Sequence, residues 1–424
     1  MHDLRLLREG VDLLRDGMAR RGALEQITPV LDRAVELDVE RRALIQAAEE
    51  RKAARNDASE EVARLRRAGA DATEVMTRSR VLGEEIARLE RELADTESAL
   101  SAMLLEIPNL TLPEVPAGNE DNNRIVREWG TPRIGEGLRP HWEIGEGLGI
   151  LDLPRGAKIA GSGFVVFRGK GARLVRSFMN FMLDLHTSTH GYEEVWVPFV
   201  ANRASMTATT QLPKFEDDMY ALRDEPLFLV PTAEVPVTNL YRDEILAETD
   251  LPKGFTAYTP CFRREAGSHG KDTRGLLRVH EFDKVELVRY TTPETSSAEL
   301  ERLLAHAEAV VQSLGLAYRV KLLAAGDTGF ASAKTYDIEA WAPGVQQWLE
   351  ISSVSTFVDF QARRGNIRYR PASGGKPRLV HTLNGSALAF ARTIACVLET
   401  HQRADGTVEV PQALRAYLGT DSLS

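Results

Sequence analysis

Between Asp38 and Ile107 glycine and proline are scarce, and apolar residues recur at alternating steps of three and four. That spacing draws one narrow apolar stripe along a helical period, so it commits the segment to long helices. The main break, Ala68–Gly69–Ala70–Asp71, is where the chain must turn. After it Val75, Leu82, Ile86, Leu89, Leu93, Leu100 and Met103 form one seam. Before it Leu37, Leu44, Ala48, Ala58, Val62 and Leu65 form a weaker partner, interrupted by Arg41, Arg51 and Arg55. Two helices of about 30 residues, each about 45 Å long, are expected to fold back as an antiparallel hairpin. Such a hairpin buries only one stripe and projects from a body, as a reaching arm or an oligomerisation rod.

Charge alone leaves the arm's role open. Val39–Ala70 holds eight Lys/Arg against six Asp/Glu, and Asp71–Glu106 four against nine. Solvated coiled-coil faces explain most of this. Yet Arg64, Arg66 and Arg67 cluster near the tip, and Arg41, Arg42, Arg51, Lys52 and Arg55 lie further down the same helix, where RNA phosphates could meet them. The net charge of −9 opposes a generic nucleic-acid coat while allowing a local docking surface.

The 424 residues leave room for a large body beside the arm. Charged residues at the start, MHDLRLLREG, stand where a signal peptide needs an apolar run, and no apolar stretch reaches membrane-spanning length. Phe178–Leu185 reads as a buried helix face. Cys261 and Cys396 are far apart and lack metal-ligand spacing, which implies neither a disulfide framework nor zinc and makes a reducing cytoplasm the expected setting. Pro108–Asn123 has a linker's proline, glycine and polar content. The expected domains are 1–107, a linker at 108–124, and 125–424. In the body, helices are expected at Gly171–Thr189, Leu300–Leu314 and, last, Ala387–His401. Strands are expected at Glu194–Phe199, through much of Leu227–Val288, at Leu349–Phe357 and at Leu379–Leu383. Hairpin-joined strands with outer helices define an α+β fold on an antiparallel sheet. A P-loop and a strand-borne GxGxxG are both missing from the sequence, so any nucleotide must be held otherwise.

Tyr258–Val288 reads as two strands, Cys261–Glu265 and His280–Val288, joined by a glycine-rich basic loop. Alternation puts Arg263 and Glu265 on one face and Arg264 on the other, with Phe282 and Glu286 offered by the partner strand. A nucleotide site needs those parts: a cation for phosphate, an acceptor for the adenine amino group and a ring for stacking. Taken alone, the segment reads equally as a surface hairpin with an ordinary ion pair.

Other tracts remove that ambiguity. HGYEEVWVPFV (His190–Val200, with Pro198) is similar to the first motif of class II aminoacyl-tRNA synthetases. FRRE followed by RVHEFDKVE resembles the second motif, and HTLNGSALAFARTIACVLETHQ (His381–Gln402, with Arg392) the third. QLPKFEDDMY (Gln211–Tyr220), VPTAEVPVTNLYR (Val230–Arg242), YDIEAW and LEISSVSTFVDFQARR look like serine-family segments. In this order, and with the amino-terminal hairpin, they resemble the bacterial type of seryl-tRNA synthetase over nearly the whole chain.

The resemblance implies ATP-dependent ligation of L-serine to tRNA(Ser) through seryl-adenylate, with selenocysteine tRNA as a further acceptor, by a cytoplasmic homodimer. Arg263 and Arg392 are its catalytic pair. Arg263, Arg264, Glu265, Val279, Phe282, Glu350, Ile351, Ser352, Ser353 and Arg392 are the implied ATP contacts, and Glu350 and Ser353 the implied magnesium ligands. Thr232, Ala233, Glu234, Arg263, Glu286 and Ser386 are implied to bind serine. The arm would meet the tRNA's long variable arm through Arg41, Arg51, Arg55, Arg64, Arg66 and Arg67, while Lys271 and Arg274 would meet the acceptor end. Three departures stand out: Val354 and Thr356 where the family often has Cys and Asn, Glu281 where Gln is common, and Ala208–Thr209–Thr210 in place of Gly-Thr-Gly. They leave two alternatives, a specialised second isoform (inhibitor-insensitive or serving a biosynthetic pathway) and a non-catalytic synthetase-like binding protein.

Overall fold

The computed structural model describes residues 1–266 and 274–424. It divides into two compact units, Met1–Pro108 and Asn109–Ser424.

The first unit is helical throughout. Leu24–Arg67 and Thr73–Glu106 are its long helices, 44 and 34 residues, or about 66 and 51 Å at the α-helical rise. The first is longer than the seam predicts because Ile27, Leu31, Ala34 and Leu37 carry the buried stripe towards its start. Two short helices, Leu4–Glu9 and Val11–Arg20, pack there with Leu7, Leu14 and Met18 buried. Arg8 grips the buried Asp38 with two bonds of 2.8 Å, and Arg42 adds a third at 3.2 Å; the Arg8 bond holds the Asp38 carboxyl below its usual range. The hairpin seam is buried mainly at Ala48, Ala58, Ile86, Leu100 and Leu104. Polar ties flank it: Arg41 to Glu97 at 2.9 Å, Arg51 to Glu85 at 2.7 Å and Lys52 to Glu90 at 2.8 Å. Being largely exposed, each contributes little to stability and mainly fixes which residues face each other.

The second unit is built on an eight-stranded sheet. Its strands run in the order Arg124–Trp129, Tyr318–Leu322, Lys334–Ala342, Gln347–Val358, His381–Ala389, Glu281–Thr291, Lys253–Phe262 and Glu193–Glu194. Every neighbouring pair is antiparallel except the last, which is parallel. The helices Lys170–Ser188, Ser296–Ser313 and Phe390–Thr400 supply Phe178, Leu303 and Ile394 to the main core.

The α+β reading holds, with local differences. Of the expected Glu194–Phe199 strand, only Glu194 joins the main sheet, together with Glu193 before it, and Val200–Asn202 pairs separately with Leu227–Leu229. A short helix, Glu234–Thr238, interrupts the expected run of strands. The final helix is Gln412–Leu418, beyond the Phe390–Thr400 helix, and it buries Leu414 and Leu418. Segment 109–123 is irregular apart from one turn at Glu120–Asn122. It is tied to the body: Asn109 Nδ2 donates to the carbonyls of Ala331 and Phe357 at 2.8 and 3.0 Å, and the Leu112 amide to Ala333 at 2.9 Å. Among the described residues, no helix is long and apolar enough to cross a membrane.

Thr210 has φ 73°, a left-handed conformation that strains a β-branched residue. Thr210→Gly is expected to raise stability by about 0.5–1 kcal/mol, net of the entropy glycine adds to the unfolded chain. A urea titration checks this; an unchanged or lower midpoint contradicts it.

Candidate active site

A cavity of about 640 Å³ opens on the sheet. The hairpin supplies Arg263, Glu265, Val279, Phe282 and Glu286; the Gln347–Val358 strand supplies Glu350, Ile351, Ser352 and Ser353; Ser386 and Arg392 come from the following strand and helix. Thr232 and Glu234 complete this set. Ala233 is buried in a neighbouring core cluster, and Arg264 does not line the cavity; its amide donates to the Asp218 carbonyl at 2.9 Å. Lys271 lies outside the described residues. Arg274 is exposed, 4.8 Å above the Trp142 ring. On the first unit, Arg41 and Arg51 are paired across the hairpin as described. Arg64 lies 3.6 Å from Glu61, Arg66 donates to Met76 Sδ, Arg67 caps the Ala63 carbonyl, and Arg55 lines a groove with Val62 and Met76.

Arg263 and Glu265 meet the cavity for a different reason from the one alternation predicts. The strand ends at Phe262, and Glu265 takes a left-handed φ of 50°, so the chain turns out of the ladder. The Arg263 amide bonds the His280 carbonyl at 2.9 Å, and its guanidinium lies 5.2 Å over the Phe282 ring. Arg278 donates to Glu265 at 2.6 Å. Arg392 reaches the Leu277 carbonyl with Nε at 3.0 Å and the Glu350 carbonyl with Nη1 at 2.9 Å.

A buried polar group occupies the other end. Lys284 pairs with Glu286 and donates to Thr232 Oγ1 at 2.8 Å, while Thr232 Oγ1 donates to Glu286 at 3.3 Å. Glu234 accepts from Gln361 Nε2 at 2.6 Å, and Gln361 in turn accepts from Thr382 at 2.7 Å. Burial first, and then the nearby Glu286, push the Glu234 carboxyl up to about 7. Lys284 and Gln361 are functional candidates that the motif reading missed. Lys284 was detectable, since it stands two residues before Glu286 and therefore on the same strand face. Gln361 gave no such signal; a short helix, Phe360–Gly365, brings it in from far along the chain.

The neighbouring strand places Asp337 opposite Ser353 and Glu339 opposite Glu350. Burial, followed by the charge of Glu350, holds the Asp337 carboxyl well above the usual range. Its Oδ1 is buried without a hydrogen-bond partner among the described residues.

The departures fall largely away from this chemistry. Val354 is buried on the face packed by Leu303: a Cβ on its partner Gly385 would stand 2.2 Å from Leu303 Cδ2 and 3.0 Å from Val354 Cγ2. Thr356 is also buried, its hydroxyl 3.5 Å from that of Ser296 on the same helix. Glu281 is exposed and does not line the cavity. Only Thr209 and Thr210 do.

A sheet of this order, carrying an arginine–glutamate–phenylalanine set and a helix-borne arginine, defines a class II aminoacyl-tRNA synthetase core. Residues 214–401 match the family model for the tRNA synthetase class II core domain (G, H, P, S and T), and residues 1–111 match that for the seryl-tRNA synthetase N-terminal domain. The chain is 61% identical to the serine–tRNA ligase of Gemmatimonas aurantiaca and 52% identical to that of Geobacter sulfurreducens, each over 99% of both chains. It also superposes on the crystal structure of seryl-tRNA synthetase from Pyrococcus horikoshii complexed with ATP, with a TM-score of 0.94 and 36% identity, over 100% of this chain and 99% of that one. The chain belongs to the seryl-tRNA synthetase family.

Lys284→Met would leave the Glu286 carboxylate buried and unpaired, and is expected to cost about 3–5 kcal/mol of stability. Adding Glu286→Gln should recover most of it. Urea denaturation of both variants measures the coupling, and equal loss in the single and double variants refutes the pairing.

Proposed function

We infer that this chain is an ATP-dependent serine–tRNA ligase, joining L-serine to tRNA(Ser) through seryl-adenylate. The observation that carries this reading is one cavity holding both the Arg263–Glu265–Phe282–Arg392 set and the buried Thr232–Lys284–Glu286 set. The relatives' names and the ATP-bound Pyrococcus structure agree with it. No feature of the site favours a binding-only protein or a specialised isoform.

In the first step the serine carboxylate attacks the α-phosphorus of ATP and pyrophosphate leaves. In the second, a ribose hydroxyl at the tRNA terminus attacks the acyl carbonyl and AMP leaves. Neither step needs a protein nucleophile, so positioning and charge stabilisation do the catalysis. Arg263 meets both the α-phosphate and the serine carboxylate. Glu265 accepts from the adenine amino group, Phe282 stacks on the ring, and Arg392 reaches the γ-phosphate. Glu234 takes the serine ammonium, and Glu286, oriented by Lys284, bonds the side-chain hydroxyl with Ser386. Alanine or glycine would leave these groups unpaired, at about 1–3 kcal/mol per group.

Glu350 and Ser353 would hold magnesium with ATP, and Asp337 fits the same role. Crowded carboxylates, one with an unpartnered oxygen, are the donor set a hard divalent cation takes. When bound, the ion draws charge from the phosphates.

We assign residues 1–107 to tRNA binding and 125–424 to catalysis. Arg55, Arg64, Arg66 and Arg67 are the arm's best candidates for the tRNA variable arm, with Arg41 and Arg51 as pairs that phosphate could compete for. Arg274 faces the acceptor end. The exposed Trp196, beside Phe199 and Tyr258 at centroid separations of 6.0 and 6.1 Å, marks with Pro198 the surface for a homodimer contact.

Serine-dependent ATP–pyrophosphate exchange together with tRNA(Ser) charging tests the reading. Replacing Val39–Glu106 by a short turn should spare exchange and abolish charging. Absence of exchange in the intact chain refutes adenylation, and undiminished charging without the arm refutes the arm's role.

Glu234 also sets a pH dependence. Below about pH 7 its carboxyl is protonated and cannot neutralise the serine ammonium; above it, the carboxylate can. The exchange KM for serine should therefore fall as pH rises from about 6 to 8, while the KM for ATP stays flat. Glu234→Gln should bind serine poorly at every pH and lose the slope. A pH-independent serine KM in the parent protein contradicts the assignment.

A further inference from the structure

The segment around His141, LRPHWEIGEG, belongs to none of the motifs above, yet the fold brings it to the cavity wall. His141 opens the His141–Gly147 helix and is fully buried, as is the Glu399 side chain. One Glu399 oxygen accepts from both the His141 amide at 2.9 Å and His141 Nδ1 at 2.7 Å. The other accepts from the amides of Gly344 and Val345 at 2.7 and 3.1 Å. The far ring nitrogen of His141, Nε2, accepts from the Leu276 amide at 2.9 Å. These partners fix the tautomer: Nδ1 carries the proton and Nε2 offers its lone pair.

Leu276 begins the chain's return to the nucleotide end of the cavity, whose wall includes Leu276, Leu277, Arg278 and Val279. The next carbonyl, Leu277, is held by Arg392, and Arg278 holds Glu265. Arg392 and Glu399 are seven residues apart on one helix, so two turns of it hold consecutive residues of this wall, one directly and one through His141. The approach is tight. Gly275 has φ +72°, and a Cβ there would stand 2.3 Å from His141 Nε2. Arg274, next in line, lies over Trp142.

We propose that His141, oriented by Glu399, is a positioning residue for adenylation, setting the Leu276–Val279 wall against which ATP binds. The proposal rests on the adenylation reading and adds to it a residue outside the three motifs.

Two substitutions separate its contacts. In His141→Gln the side-chain amide reaches the Nε2 position and can still accept from Leu276. In His141→Asn it reaches only the Nδ1 position and keeps the Glu399 bond. In exchange assays, His141→Asn should raise the KM for ATP about tenfold, the worth of one hydrogen bond, with the serine KM nearly unchanged and His141→Gln close to the parent. If His141 serves only to support Glu399, the order reverses, or both variants melt earlier with unaltered KM; either result overturns the proposal. Should neither fold, Gly275→Ala presses on the same contact from the other side, and a parental KM for ATP in that variant also overturns it. Absence of exchange in the parent would instead refute adenylation itself, so the two failures are distinguishable.

Discussion

Alternation of side chains across four adjacent antiparallel strands, Lys253–Phe262, Glu281–Thr291, His381–Ala389 and Gln347–Val358, organises the whole second unit. One face of this ladder takes Val354, Gly385 and Thr356 against the Ser296–Ser313 helix. The other presents Ser353, Ser355, Lys284 and Glu286 to the cavity. Slipping the Glu281–Thr291 strand by one residue would drive Lys284 and Glu286 into the core and Val285 and Leu287 into the site, so the hydrophobic core and the polar site enforce each other's register. Departures from the register occur where the site needs them. Irregularities between Ser386 and Ala389, and between Thr356 and Val358, bend strands at the cavity's edge.

The charges inside that cavity form two sets with different consequences. Around Thr232 a lysine offsets a carboxylate, and the hydroxyl joins them, so the group is satisfied as it stands. Glu234 has an amide for a partner and no comparable cation, which is why burial and Glu286 raise its carboxyl to about 7. Asp337 is raised likewise, by burial and then by the charge of Glu350, which outweigh the nearby Lys321. A buried carboxylate held above its usual range for want of a cation is one that a cationic ligand would stabilise, which is the basis of the ammonium and magnesium roles proposed above.

The arm obeys simpler rules. Its apolar stripe and its break were legible because a long two-helix hairpin depends on local periodicity alone, and Gly69 supplies the turn with φ 68°. The destination of its charged residues was less legible. Arg41 and Arg51 read as interruptions of the seam that RNA phosphates could meet, and antiparallel packing sets Glu97 and Glu85 of the second helix beside them. Within the body, the same limit appears at Glu265. Alternation assigned it to the cavity, and it is there, though a left-handed turn past the strand's end delivers it.

The sequence by itself determined the hairpin seam, the antiparallel class of the body and the residues of the three motifs, because each of these is written in spacing or in contiguous residue types. Tertiary structure alone decided that Gln361 supports Glu234, that Asp337 crowds Glu350, and that His141 reaches Leu276 while bound to Glu399. Those contacts join residues far apart in the chain, or neighbours on paired strands. No periodicity encodes them; they exist only once the sheet has closed its ladder and the helices have packed against it.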